Sequence, residues 1–263
     1  MSVTMAQLPS RPLSQQHGSP MAKYKTLYAW MILPLVLMQV GIFMDYWREL
    51  SQNDWTIHIH YWTATLWYLY LIVQPYLATH GRMAFHRTNG MIGVFLAGGM
   101  GIGSFGMLNG TLELTVVSAE HPDRFGPFTP DFFYGIVIGE MVMALVFMLA
   151  LIMGILRRKD FENHAWWLTA TAFIIMMPAL GRGIQNLWIG LHIEQWPSID
   201  VMTPLLISQA LIIGLTLAAA WKYEQLKHPA TWWAIVVNAN ILVAFELGKL
   251  DMVQQLLNAV IRV

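Results

Sequence analysis

The stretch FFYGIVIGEMVMALVFMLALIMGIL (residues 132–156), followed by RRKDFENH (157–164) and AWWLTATAFIIMMPALGRGIQNLWI (165–189), decides the fold of this chain. Two long apolar runs flank a charged turn, and each run carries a single charge, Glu140 in the first and Arg182 in the second. About 20 apolar residues cross the hydrocarbon core of a bilayer as a helix, so the stretch reads as a hairpin of two membrane spans. At about 1.5 Å of rise per residue, Glu140 lies roughly 12 Å inside one end of its helix. Arg182 lies at a similar depth from the matching end of the antiparallel helix. A lone acid and a lone base at one depth are expected to pair, because each alone costs several kcal/mol in hydrocarbon. Such a pair serves as a lock between neighbouring helices, as a polar floor beneath a cofactor, or as part of a proton path.

Composition agrees with the hairpin. Of 263 residues, 56% are hydrophobic and 11% charged, whereas soluble domains carry about 25% charged residues. A formal net charge of zero argues against nucleic acid as a partner. The chain has no cysteine, which excludes disulfides, iron–sulfur clusters, thiolate nucleophiles and cysteine-ligated zinc. Any metal or haem would be held by His, Met, Glu or Asp.

Working outward, residues 1–26 form a polar tail, and residues 27–263 form one transmembrane domain. Apolar runs at 27–44, 61–79, 88–108, 132–156, 165–189, 201–221 and 231–245 predict an all-α bundle of about seven spans, with spans 2–5 (about 58–192) as its core. The loop 109–131 separates the third span from the central hairpin, and residues 246–263 either continue the last helix or lie along the surface. The turns on the side of the N-terminus hold ten Lys/Arg and three acids, against four and eleven on the other side. The positive-inside rule then puts the N-terminus in the cytoplasm and the C-terminus outside, as for a multi-pass protein of a bacterial inner membrane.

The same topology sorts the histidines into two layers. A haem b needs two imidazoles at one depth on facing helices. His86 and His164 open the third and fifth spans on the cytoplasmic side and meet that condition. His60 with His192 is the external counterpart, with Arg182 close enough in depth to meet a haem propionate. Histidines at such positions also commonly meet only headgroups and water. His58 and His60 could share a metal only if helix 2 begins after His60, because two residues of helix turn them about 200° apart. The glycines of the third span, Gly99 and Gly103 among them, allow close helix approach. Pro178, Gly181 and Gly183 are expected to loosen the fifth span beside Arg182.

At His86-Arg87-Thr88-Asn89-Gly90 and His164-Ala165-Trp166-Trp167-Leu168, the chain resembles a bacterial family of small polytopic membrane proteins known only as a domain of unknown function. Members show a histidine opening one span, His-Arg-x-x-Gly opening the next, His-Arg-x-Trp-Met after a basic turn, and a late arginine in the following span. His58 or His60, His86 to Gly90, His164 to Trp167 and Arg182 match that order over residues 55–190. Ala165 and Leu168 stand where Arg and Met are usual. The family resembles di-haem cytochromes b in its span-end histidines, and the resemblance implies haem binding.

The leading expectation is a b-type cytochrome-like membrane protein, exchanging electrons with a quinone or another redox partner. Further expectations are a non-catalytic accessory subunit bound to other membrane subunits, or a transporter of protons or small solutes that uses Glu140. No motif assigns an enzymatic reaction.

Overall fold

The computed structural model describes residues 20–261, and every regular element among them is helical. The principal helices are α1 (Leu27–Gly41), α2 (Trp55–Thr79), α3 (Met83–Glu120), α4 (Pro130–Leu156), α5 (Phe161–Ile174), α6 (Met177–Leu191), α7 (Met202–Lys222), α8 (Pro229–Ala239), α9 (Ile241–Gly248) and α10 (Asp251–Ile261). Four helices are long and apolar enough to cross a membrane: α3, α4, the run Phe161–Leu191 formed by α5 and α6, and α7. A fifth is reached if α8 and α9, bent by 43° at Asn240, count as one span. The 15 residues of α1 are too few for that test. The 25 residues of α2 are long enough, but their histidines, threonines and tyrosines lower its hydropathy.

Local chemistry sets the boundaries. The Asp54 carboxylate accepts from the Ile57 N–H at 3.0 Å and starts α2 six residues before the apolar run that predicted it. Thr129 caps α4 ahead of Pro130, and Asp160 caps α5. The expected loop at 109–120 is instead the last third of α3, which runs on to His121–Pro122. Its buried residues Leu108, Thr111, Leu112, Thr115 and Ser118 recur at helical spacing. That stripe packs with Tyr134, Val137, Ala244 and Leu257 from α4, α9 and α10. Glu113 and Glu120 point outward, so the acids that suggested a loop cost the helix nothing.

The break near Pro178 occurs as its chemistry requires. Proline offers no N–H and its ring clashes with the carbonyl four residues earlier, that of Ile174; α5 ends there. Carbonyls released by the break find side chains: the Tyr68 hydroxyl donates to Ala172 at 2.6 Å and the Asn238 amide to Phe173 at 3.0 Å. Residues 249–261 do not extend α9. They form α10, an amphipathic helix tied back by Gln254 to Asp131 and by Asn258 to the Tyr134 hydroxyl.

In cross-section, α2, α3, α4 and α5 form a ring in that order, with α2 also against α5. Helices α3 and α5 are therefore diagonal partners, as are α2 and α4. Trp67, Phe147, Trp166 and Phe173 fill the core. Their polar atoms are paired: the Trp67 indole donates to Thr171 at 3.1 Å and that of Trp166 to Thr231 at 2.8 Å. Helix α1 crosses α6 so closely that a β-carbon on Gly183 would stand 2.6 Å from the Gly41 α-carbon. Of the polar tail expected at 1–26, residues 1–19 lie outside the described residues. The rest is mostly exposed but is anchored by Tyr24, which is buried, stacks on Tyr223 and accepts from Gln225 at 2.8 Å.

Candidate functional site

Two clusters of chemically capable residues lie inside the four-helix ring, one toward each end. At the end bearing the basic turns, His86 stands in the first turn of α3 and His164 in the first turn of α5. These helices are diagonal, and the two imidazoles meet across the bundle interior edge-on, with centroids 6.2 Å apart and planes at 85°. His164 is oriented by the end of α4. The last carbonyls of a helix lack helical partners, and that of Gly154 accepts from His164 Nδ1 at 2.8 Å. This bond fixes the tautomer and leaves Nε2 free to ligate. His86 Nδ1 is buried without a partner, as are both polar atoms of the Gln74 side chain. Gln74 is buried, and the His86 ring lies against its main chain. Buried orphaned polar atoms cost about 1–3 kcal/mol each and call for an explanation.

The turn that carries His164 is held by a relay outside the spans. The Asn163 N–H and amide donate to Asp160 at 3.2 and 2.7 Å. Asn163 Oδ1 in turn faces His228 Nε2 at 2.9 Å, and His228 Nδ1 accepts from the Ala230 N–H at 3.1 Å. His228 is therefore the neutral Nε2–H tautomer. The Asn163 bonds hold the Asp160 carboxyl below the usual carboxylate range. Burial pushes the His228 imidazole below its ordinary value, and the nearby Asp160 charge only partly opposes it.

The second cluster lies toward the acidic end. Arg182 on α6 meets Glu140 on α4 at 3.3 Å, so the two lone intramembrane charges are brought together as expected. Arg182 also donates to the Tyr61 hydroxyl at 3.3 Å, and the Thr111 hydroxyl donates to Glu140 at 3.3 Å. The Arg182 side chain is 35% exposed and that of Glu140 15%, and both open onto a cavity of about 80 Å³ enclosed by α1, α2, α3, α4 and α6. Its walls follow helical faces: His60, Tyr61, Ala64 and Tyr68 on α2; Met100, Ser104 and Met107 on α3; Met143, Ala144 and Phe147 on α4. Met38 of α1 and Ile42 just beyond its end close one side, with Pro178 and Ala179 of α6 opposite. His60 Nδ1 is buried there with no partner. Gly103 makes this possible, since its missing side chain lets α3 approach to where a β-carbon would lie 3.1 Å from the His60 α-carbon.

Other expected groupings are not assembled. Helix α2 begins at Trp55, ahead of both histidines, so the extended segment that a shared metal at His58 and His60 required is absent. His58 instead pairs through Nδ1 with the Tyr46 hydroxyl at 2.9 Å. His192 does not line the cavity with His60; its Nδ1 faces the Trp188 carbonyl at 2.9 Å and its ring lies on Trp188. An external haem between His60 and His192 therefore does not fit. The cavity is also far below the roughly 300–1,000 Å³ of a pocket for a drug-sized ligand. Among the described residues, no three of His, Asp and Glu cluster as metal ligands. Tyr61, Thr111 and the methionine walls were not singled out by sequence, although their i, i+3, i+4, i+7 spacing was readable once the faces were known.

Comparison with protein-family models, with characterised proteins and with solved structures gives no match to this chain.

Proposed function

We propose that the chain is a seven-span protein of a bacterial inner membrane that binds haem b between His86 and His164. Its role is electron transfer with a quinone or another redox partner. In this reading α1 and α2 complete the count of spans, the N-terminus is cytoplasmic and the haem lies at the cytoplasmic end.

The observation that carries the proposal is the approach of His86 and His164 to 6.2 Å, ring centroid to centroid, from diagonal helices. A metal bonded at about 2.0–2.1 Å to one nitrogen of each of two opposed imidazoles sets their centroids roughly 6 Å apart. The donor set also suits the group. His164 presents a free Nε2, and no acid or thiolate competes for the metal. The unpartnered atoms of His86 and Gln74 have the character of groups awaiting a ligand. Haem, when bound, supplies one-electron redox chemistry. The chain's own contribution is positional: Gly154 orients His164, the Asp160–Asn163–His228 relay holds its turn, and Arg82, Arg87, Arg157 and Arg158 supply positive charge at that end.

The test is an absorption spectrum of detergent-purified protein, oxidised and dithionite-reduced, from haem-replete cells, with iron analysis of the same sample. A sharp reduced α-band with one iron per chain is expected. His86→Ala and His164→Ala should each abolish it while the protein stays monodisperse. A featureless, iron-free spectrum would remove the proposal.

A further inference from the structure

The cavity at the acidic end lies apart from the histidine pair, and neither His86 nor His164 lines it. Its polar lining is His60, Tyr61, Ser104, Glu140 and Arg182. Glu140 is already engaged by Arg182 and Thr111. Tyr61 accepts from Arg182 and keeps its own O–H proton to give. Ser104 adds a hydroxyl, while His60 Nδ1 is sealed from the cavity beside Gly103. The Glu140–Arg182 pair has no net charge, so the site offers an anion little Coulombic gain. The guanidinium disfavours a soft cation at the methionine sulfurs, despite their affinity for such ions. What remains is a neutral oxygen acceptor.

The rest of the wall specifies the ligand's body. Tyr68, Phe147 and the thioethers of Met100 and Met143 are flat or adaptable apolar surfaces, suited to the face and edges of a ring. The cavity is about 80 Å³, where one ordered water needs about 10–15 Å³. It has room for roughly five to eight waters, space enough for one six-membered ring with a small substituent.

We infer that this cavity binds a small, flat, neutral ring bearing a carbonyl, with the oxygen toward the Tyr61 hydroxyl. The head group of a simple benzoquinone lipid is one member of that class. The inference does not depend on haem.

Two isosteric probes test it, benzaldehyde and styrene, which differ in an oxygen for a methylene. Saturable binding to detergent-solubilised protein is followed by ligand-observed NMR, with partition into empty micelles subtracted. Benzaldehyde should bind at least about five-fold more tightly than styrene, the factor for one hydrogen bond. Tyr61→Phe should remove most of that preference without weakening styrene. Ala144→Phe, which fills the cavity, should abolish binding of both. The titrations are repeated in the His86→Ala, His164→Ala protein, where the same affinities are expected whether or not haem binds to the native chain. Equal affinity for the two probes, no saturable binding, a preference that survives Tyr61→Phe, or binding unaffected by Ala144→Phe would each overturn the inference.

Discussion

Replacing Glu140 by Ala should be among the most costly single changes to this bundle. The substitution removes the carboxylate paired with Arg182 at 3.3 Å and leaves the guanidinium with the neutral Tyr61 hydroxyl and the more distant charge of Asp45. Breaking a buried ion pair from one side costs about 3–5 kcal/mol, because the surviving charge stays desolvated. The lower end applies here, since the Arg182 side chain is 35% exposed and lines a cavity roomy enough for water; about 3 kcal/mol is expected. Thr111 loses little, as its hydroxyl also reaches the Met107 carbonyl. Glu140→Gln keeps an acceptor for Arg182 and should cost about 1–2 kcal/mol. The double variant Glu140→Met, Arg182→Met removes both charges and should lie within about 1 kcal/mol of the parent, as apolar replacement of a buried pair usually does. The assay is reversible unfolding in mixed micelles titrated with dodecyl sulfate, run as a double-mutant cycle. Strong coupling, about 2 kcal/mol or more, is expected for groups in contact. Costs that merely add, to within about 0.5 kcal/mol, would show that the pair is not energetically engaged and would refute the reasoning.

Other outcomes follow from the same geometry. Gly183→Ala places a β-carbon 2.6 Å from the Gly41 α-carbon, so α1 and α6 must part, at about 1–3 kcal/mol in the same unfolding assay. Asn238→Leu takes the donor from the Phe173 carbonyl at the Pro178 break and should cost about 1–3 kcal/mol; a neutral result would mean that water reaches that carbonyl. The His228 and Asp160 values are both depressed on folding, so the unfolded chain binds more protons and acidification destabilises. The His228 contribution is whole above about pH 6.5 and is lost as the pH falls below it, while that of Asp160 persists down to about pH 4 before it too is lost. Unfolding at pH 7 and pH 5.5 should show a larger loss in the parent than in His228→Gln, and an equal loss in both proteins would refute the assignment.

Much of this molecule was legible in its sequence, for a physical reason. An unpaired charge in an apolar run is so costly that Glu140 and Arg182 had to meet, and their equal depth followed from helical rise alone. Where a helix lies was likewise written in uninterrupted apolar runs, and its break at Pro178 in the chemistry of one ring. Helix ends were less visible. Asp54 extends α2 through His58 and His60, and a buried stripe carries α3 past Asn109 and Gly110 to Glu120, because capping and packing against α9 and α10 override local polarity. Facing across the bundle was legible only as equal depth. Sequence allowed His86 with His164 and His60 with His192 alike. The order of helices around the ring joined the first pair on the α3–α5 diagonal, and local contacts turned His192 onto Trp188. The cavity was out of reach, since five helices from distant parts of the chain each contribute one face to it. Which faces turn inward is decided by close approaches such as Gly103 on His60 and Gly41 on Gly183, and those distances exist only when the bundle is assembled.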